Sequence, residues 1–440
     1  HPLIDFRRGA EVCGLEGTAS PLTATPVRAR TLVAEEPRTF TGTVVLGCDG
    51  ANSMIRELAG IPMEDLGFTE RWLVVDIRVA GGLDTWDGVE QVCDPARAAT
   101  FMQVTGDRYR WEFRLLDGED EASLITPAAL GALLRPWTGR GDVAGLEIIR
   151  STGYTFRARL ATCFQAGRVF LLGDAAHLTP PFIGQGLAAG LRDADNLTWK
   201  LAHVLTGRAD ADLLASYDTE RRPHARAMVK KAVRVGWAMT GGQDRAAAVR
   251  RIALAAAVRS RHVREAMAST ATPRLKAGAL QPAPRLRPSG IPAALRPGGL
   301  ISNPLVQGGD GTPVRLDAIL DGRTAVLTAR RPESGLVEFC RRHGLVLVRI
   351  SASGTGAPAD PDADWADVHL AAGQATGLRA LTARPALTVI VRPDRVIAAA
   401  GTRYRPPRQP WHIPATAARG HAATHPPANA GPAGPLPTAL

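Results

Sequence analysis

Gly167–Arg168–Val169–Phe170–Leu171–Leu172–Gly173–Asp174–Ala175–Ala176–His177 is the stretch on which the fold of this chain turns. Four consecutive apolar residues between turn-forming glycines fit a buried strand. The strand delivers an aspartate at its carboxyl end, among small residues that let a second backbone or a ligand approach closely. A carboxylate placed there accepts two hydroxyl hydrogen bonds at once, which suits a polyol such as a ribose. The plainer reading is a strand ended by an Asp turn, its glycines serving helix packing, and these residues alone leave both open.

Toward the C-terminus, Pro180 and Pro181 bar a helix at that point. Leu187, Leu191, Ala194, Leu197, Leu201 and Val204 then recur at three- and four-residue steps, predicting a long amphipathic helix from near Gly184. The exposed amides of Gly184 and Gly186 would give its start a partial positive charge that favours an anion. A second helical stretch over 211–239 is expected to be interrupted at Pro223. Trp199, Trp237, Met228 and Met239 sit at helical spacings and read as core, and His224 as a helix-surface residue. His177 reads as a structural or ligand-side group in preference to a general base.

Toward the N-terminus, residues 1–50 read as short strands, and Thr43–Val44–Val45–Leu46, closed by Gly47, reads as a second buried parallel strand. A tight turn and a short helix over 51–59 follow, with Asp49 placed to cap it. Apolar and charged residues alternate at period two around 72–79 and 109–115, which predicts an inserted, mostly antiparallel sheet. Prolines at 273, 282, 284, 288, 292 and 297 mark a linker, beyond which the order is β, α, β and then a hairpin.

A chain of 440 residues exceeds one ordinary domain. Its net charge of +11 comes from 53 Lys+Arg against 42 Asp+Glu, yet only Lys200, Lys230, Lys231 and Lys276 are lysines. The arginines are scattered singly, without a stripe or interleaved aromatics, which argues for GC-rich coding and against nucleic-acid binding. No apolar run approaches the roughly 20 residues of a membrane helix, so no membrane span is expected. Five widely spaced cysteines without a C-x-x-C pair argue against a disulfide framework or a metal site and for a cytoplasmic setting.

The run 167–177, followed by P-P-F-I-G-Q-G-L-A-A-G-L-R-D-A-D-N-L-T-W-K-L over 180–201, resembles the second flavin-binding motif of the group A flavoprotein aromatic hydroxylases. The resemblance is strongest to the branch acting on 3-(3-hydroxyphenyl)propionate and related phenols or polyketides. Upstream, V-V-L-G-C-D-G-A-N-S over 44–53, with Arg56, resembles the D-G motif of that family.

The resemblance implies an FAD-dependent monooxygenase that uses NADH or NADPH and dioxygen. It would hydroxylate a small phenolic substrate through a flavin hydroperoxide. Asp49 and Gly50 would lie on the FAD and nicotinamide path. Leu172, Gly173, Asp174, Ala175, Ala176 and His177 would line the FAD, with Asp174 on its ribityl or ribose hydroxyls. The amides around Gly184, Gln185, Gly186 and Leu187 would face the pyrimidine edge of the flavin.

The implied fold is α/β, with an incomplete Rossmann-like FAD-binding domain (1–64 and 166–270) and an inserted antiparallel substrate sheet (65–165). A linker (271–298), a thioredoxin-like domain (299–404) and a disordered tail (405–440) complete it. That C-terminal unit, lacking C-x-x-C, is expected to serve packing or association into a homo-oligomer. The family's G-x-G-x-x-G is missing, so the nucleotide half of the FAD site is expected to be absent. The alternatives are a polyketide-tailoring hydroxylase, or a truncated, non-catalytic homologue unable to bind FAD.

Overall fold

The computed structural model describes residues 1–402 except 20–21, 23–24, 95, 241–248, 250–251, 254–255, 257–258, 262–271, 277–290, 308–311, 353–363 and 371–375. The expected disordered tail (405–440) and most of the linker lie outside the described residues.

Strands β1 (Ala10–Glu16), β2 (Val27–Val33) and β3 (Glu36–Gly42) form an antiparallel meander. Next come β4 (Val45–Gly47) and the short helix α1 (Met54–Leu58), whose N-cap Ser53 accepts from the Arg56 amide. β4 lies parallel to β11 (Val169–Leu171), in the register Val45 to Val169 and Leu171 to Gly47. The two apolar runs thus pair across more than a hundred residues. Among the described residues β4 is the edge of this sheet, so Leu46 is exposed where the sequence pattern made it buried. Arg168, itself buried, donates to the carbonyls of Gly17, Thr25 and Thr43 and so ties the meander to β11.

The inserted sheet is antiparallel throughout, in the order β12-β9-β5-β8-β7-β6. Its spine is the pair of long strands β5 (Met63–Val79) and β9 (Leu146–Ala161). β6 (Val89–Val92), β7 (Ala99–Thr105) and β8 (Arg108–Arg114) extend one side, and β12 (His177–Leu178) closes the other. Period two explains which face is dry: Tyr109, Trp111 and Phe113 of β8 are buried against Leu130 and Leu134 of the covering helix Pro127–Thr138.

Two long helices pack against β11. They are α4 (Gly186–Leu205) and α5 (Asp212–Thr240). α5 runs through Pro223 without the expected interruption. The hydrogen bond that proline removes is offset by the buried ion pairs of Glu220 and Arg221 before it and by buried Ala225, Met228 and Val229 after it. Trp237 is 54% exposed, against the expectation of core, and the side chain of Met239 lies outside the described residues.

The C-terminal unit is a seven-stranded mixed sheet. Its centre is β15 (Ala325–Thr328), parallel to β16 (Val346–Ala352) and antiparallel to β18 (Thr388–Val391), with β19 (Ile397–Gly401) as the hairpin partner of β18. The β18–β19 turn carries Arg392 and Asp394, which reach α4 and α5. Arg392 donates to Glu220 at 2.8 Å and also pairs with Asp394, while Lys200 donates to Glu220 at 3.0 Å. Asn196 donates to both Glu220 and Asp394, and Trp199 lies 5.2 Å from the Arg392 guanidinium carbon.

Burial opposes every charge in this cluster. It pulls Lys200 down to about 8 although Glu220 resists, and it would raise Glu220, which Arg392 and Lys200 instead hold far below the carboxylate range. Replacing one member of a buried pair leaves the other uncompensated. Arg392→Met should therefore lower unfolding stability by about 3–5 kcal/mol in chemical denaturation. A loss below about 1 kcal/mol, the value of an exposed pair, would mean that the cluster does not join the two units.

Candidate functional site

Just beyond the end of β11 the Leu172 amide donates to the Gly47 carbonyl at 2.9 Å, so the two motif strands finish side by side. At Gly173 the chain turns with φ +58°, a conformation L residues rarely adopt. Gly190 of α4 comes so near that a Cβ on it would sit 3.2 Å from the Gly173 Cα. Asp174 follows, exposed, while Ala175, Ala176 and His177 are buried.

The turn is held from behind by one carboxylate. Asp193 of α4 is fully buried and accepts from the Gly173 amide at 3.0 Å, from His177 Nε2 at 2.8 Å and from Arg221 Nε of α5 at 2.8 Å. Burial alone would raise its carboxyl; Arg221 and His177 overcome that and hold it below the ordinary range. Tyr217, also buried, donates its hydroxyl to the Leu171 carbonyl at 2.7 Å, a second brace from α5. His177 is buried and held by Asp193, and it stacks on Phe164.

The upstream motif meets this turn. Asp49 accepts from the Ser53 hydroxyl and from the Ile55 amide at 3.0 Å, sharing the capping of α1 with Ser53, and Gly50 takes φ +82°. Arg56, buried, donates to the carbonyls of Ala51 at 3.2 Å and Ala175 at 3.1 Å, spanning both motifs.

Gly184 ends the turn Pro181–Ile183 with φ +59°. Gln185 is the N-cap of α4, and its side chain makes no cap hydrogen bond. A Cβ on Gly184 or Gly186 would meet nothing within 4 Å. Leu187 and Leu191 are 81% and 62% exposed. That corrects the start of the predicted stripe; Leu197 and Leu201 are buried as expected, and Ala189, Asp193, Asn196, Trp199 and Lys200 are buried with them. Polar residues there are tolerated because each is hydrogen-bonded. Phe182 packs edge-on against Phe68 and Trp72 and near Phe156, joining the turn Pro181–Ile183 to the inserted sheet.

Pattern reading missed Asp193, Arg221 and Tyr217. The available signal was the recurrence of Asp193, Asn196 and Lys200 at helical spacing on one side of α4. His224, taken for a surface residue, is 4% exposed. It lies on the α5 face turned toward α4, and neither ring nitrogen has a hydrogen-bond partner.

The family profile described as FAD binding domain matches residues 1–232, and the one described as HcaD C-terminal domain matches 298–409. A 3-(3-hydroxyphenyl)propionate/3-hydroxycinnamic acid hydroxylase of Burkholderia vietnamiensis is 34% identical over 430 residues, 91% of this chain and 72% of that protein. A probable NADH-specific resorcinol 4-hydroxylase of Rhodococcus jostii is 34% identical over 242 residues, 54% of this chain and 44% of that protein. Several further matches span only about half of the relative's length, as with 41% of the hydroxylase of Burkholderia cenocepacia. Among solved structures, aklavinone-11 hydroxylase with FAD and aklavinone superposes with a TM-score of 0.68 at 23% identity, covering 91% of this chain and 71% of that one. No helix among the described residues is long and apolar enough to cross a membrane.

Burial, aided by Arg221 and Arg192, pushes His224 down to about 3. Unfolded histidine takes a proton near pH 6.5 that the folded ring refuses until about pH 3, so stability falls as pH drops through that window. His224→Leu should flatten this dependence in denaturation measured at several pH values. An unchanged slope would show that His224 is freely protonated in the folded chain.

Proposed function

The chain belongs to the FAD-binding-domain family of flavin-dependent aromatic hydroxylases, and from that premise we propose that it hydroxylates a small phenolic acid of the 3-(3-hydroxyphenyl)propionate type, using dioxygen and NADH or NADPH. The observation that carries this reading is the junction of β11 and α4. An exposed Asp174 follows the positive-φ turn at Gly173, and the uncapped, glycine-rich start of α4 is open in front.

This donor set fits the flavin end of FAD. Asp174 would take the ribityl or ribose hydroxyls, with Leu172, Gly173, Ala175 and Ala176 forming the floor and His177 bracing it from below. The amides at Gly184, Gln185, Gly186 and Leu187 would meet the edge that gains negative charge on reduction, where a helix N-terminus is favourable. The exposed Leu187 and Leu191 would give the ring system an apolar neighbour. Asp49 and Gly50, joined to the turn through Arg56, would border the nicotinamide path.

Bound flavin supplies the redox and oxygen-transfer chemistry. The residues of this chain orient the phenol, keep water out and hold the cofactor's edge. Substrate contacts are assigned to the sheet over 65–165 and to the turn Pro181–Ile183. Phe182 already locks that turn to the sheet aromatics, so the wall is rigid and apolar. A cytoplasmic setting fits both the nicotinamide reductant and the five free cysteines.

The C-terminal unit we read as thioredoxin-like. Strands β15, β16, β18 and β19 run in the spatial order β16-β15-β18-β19, with the first pair parallel and the rest antiparallel. Lacking a dithiol, it serves docking through Arg392 and Asp394.

Supplied with FAD and NADH or NADPH, the purified chain should consume dioxygen faster when 3-(3-hydroxyphenyl)propionate is added and should release a ring-hydroxylated product detectable by mass spectrometry. Failure of every simple phenolic acid to accelerate nicotinamide oxidation would overturn this assignment.

A further inference from the structure

A cavity of roughly 160 Å³ lies between α4, α5, residues 272–275 and the β18–β19 turn, behind the flavin junction. Its charges are unevenly satisfied. Arg221 is spent on Asp193, and Asp394 on Arg392 and Asn196. Arg395 stands 3.5 Å from Asp317, and Asp195 is on the exposed rim.

Two groups in the lining remain. Arg192, half-buried on α4, reaches only the neutral Gln185 side-chain oxygen, at 3.4 Å from each terminal nitrogen. His224 on α5 is 4% exposed, lines the same cavity and has no partner for either ring nitrogen. A buried imidazole normally finds at least one hydrogen bond, and a guanidinium is most strongly matched by a bidentate oxyanion.

We infer that this cavity is a binding site for a small oxyanion, a carboxylate or inorganic phosphate, gripped by Arg192 and His224 at the junction of the helix pair with the C-terminal unit. The volume admits a group of that size and excludes a nucleotide. Bound there, the anion accepts from the Arg192 guanidinium and from one His224 nitrogen. It thereby bridges α4 to α5 beside the Asp394–Val396 turn. Neither gripping residue is among those assigned to the cofactor; Arg192 meets that set only through the Gln185 side-chain oxygen, whereas the flavin reading uses the Gln185 amide.

The test is the thermal midpoint of the full chain titrated separately with potassium phosphate and potassium acetate, against potassium chloride at matched ionic strength. A saturable rise with phosphate or acetate, absent with chloride, is the expected result, and which anion produces it identifies the class. Arg192→Gln and His224→Leu should each weaken the apparent affinity about tenfold, the effect of losing one hydrogen bond to a charged group. Arg192 is half-exposed, so its variant keeps the fold even if His224→Leu alters packing. No saturable rise with either oxyanion would mean the cavity holds only water, and a rise with undiminished affinity in either variant would place binding elsewhere; both overturn the inference.

Discussion

The buried carboxylate of Asp193 is the constraint around which the N-terminal half of the molecule is arranged. It accepts from a backbone amide, a histidine and an arginine drawn from the Gly173 turn, β12 and α5. Because burying a lone carboxylate is costly, its three donors have to be present together. The turn after β11, the start of the last sheet strand and the angle between the two long helices therefore form one unit. The exposed Asp174 and the open start of α4 inherit their positions from it.

A second buried cluster does for the C-terminal unit what Asp193 does for the junction. Glu220 lies one residue before Arg221 on α5, so one helical turn serves both clusters. Lys200 and Asn196 of α4 complete the second cluster as Asp193 completes the first. A buried ion pair adds little net stability over an apolar replacement, while removing one partner is costly. Here each is satisfied only when α4, α5 and the β18–β19 turn meet in one register.

Much of this was legible in the sequence, and the limits have physical reasons. The apolar run over 169–172 declared a buried strand because a strand between neighbours carries little polar surface, and the run over 44–46 declared its parallel partner, although among the described residues that partner is the edge of the sheet. Period-two alternation declared the antiparallel sheet. The motif around Asp174 and Gly184 led to the FAD-binding family that the profile over 1–232 bears out. The stripe of α4 was misread at its start, where Leu187 and Leu191 face outward. Binary patterning assigns charge to the surface, and the partners that allow Asp193 and Lys200 inside lie on α5, with Arg392 172 residues from Glu220. His224 was misplaced because patterning sends a polar ring to the surface, whereas it is buried with no hydrogen-bond partner at either nitrogen, and Pro223 because its local rule was overridden by tertiary contacts on both sides.

The central claim is that the β11–α4 junction of this chain is a flavin site built on Asp193. It is tested most directly by titrating FAD into the purified chain and following the visible flavin absorbance. The account predicts saturable binding that Asp174→Ala weakens about tenfold or more while leaving the thermal midpoint of the FAD-free chain unchanged, since that side chain is exposed and braces nothing. Absence of binding, or binding indifferent to Asp174, would contradict it.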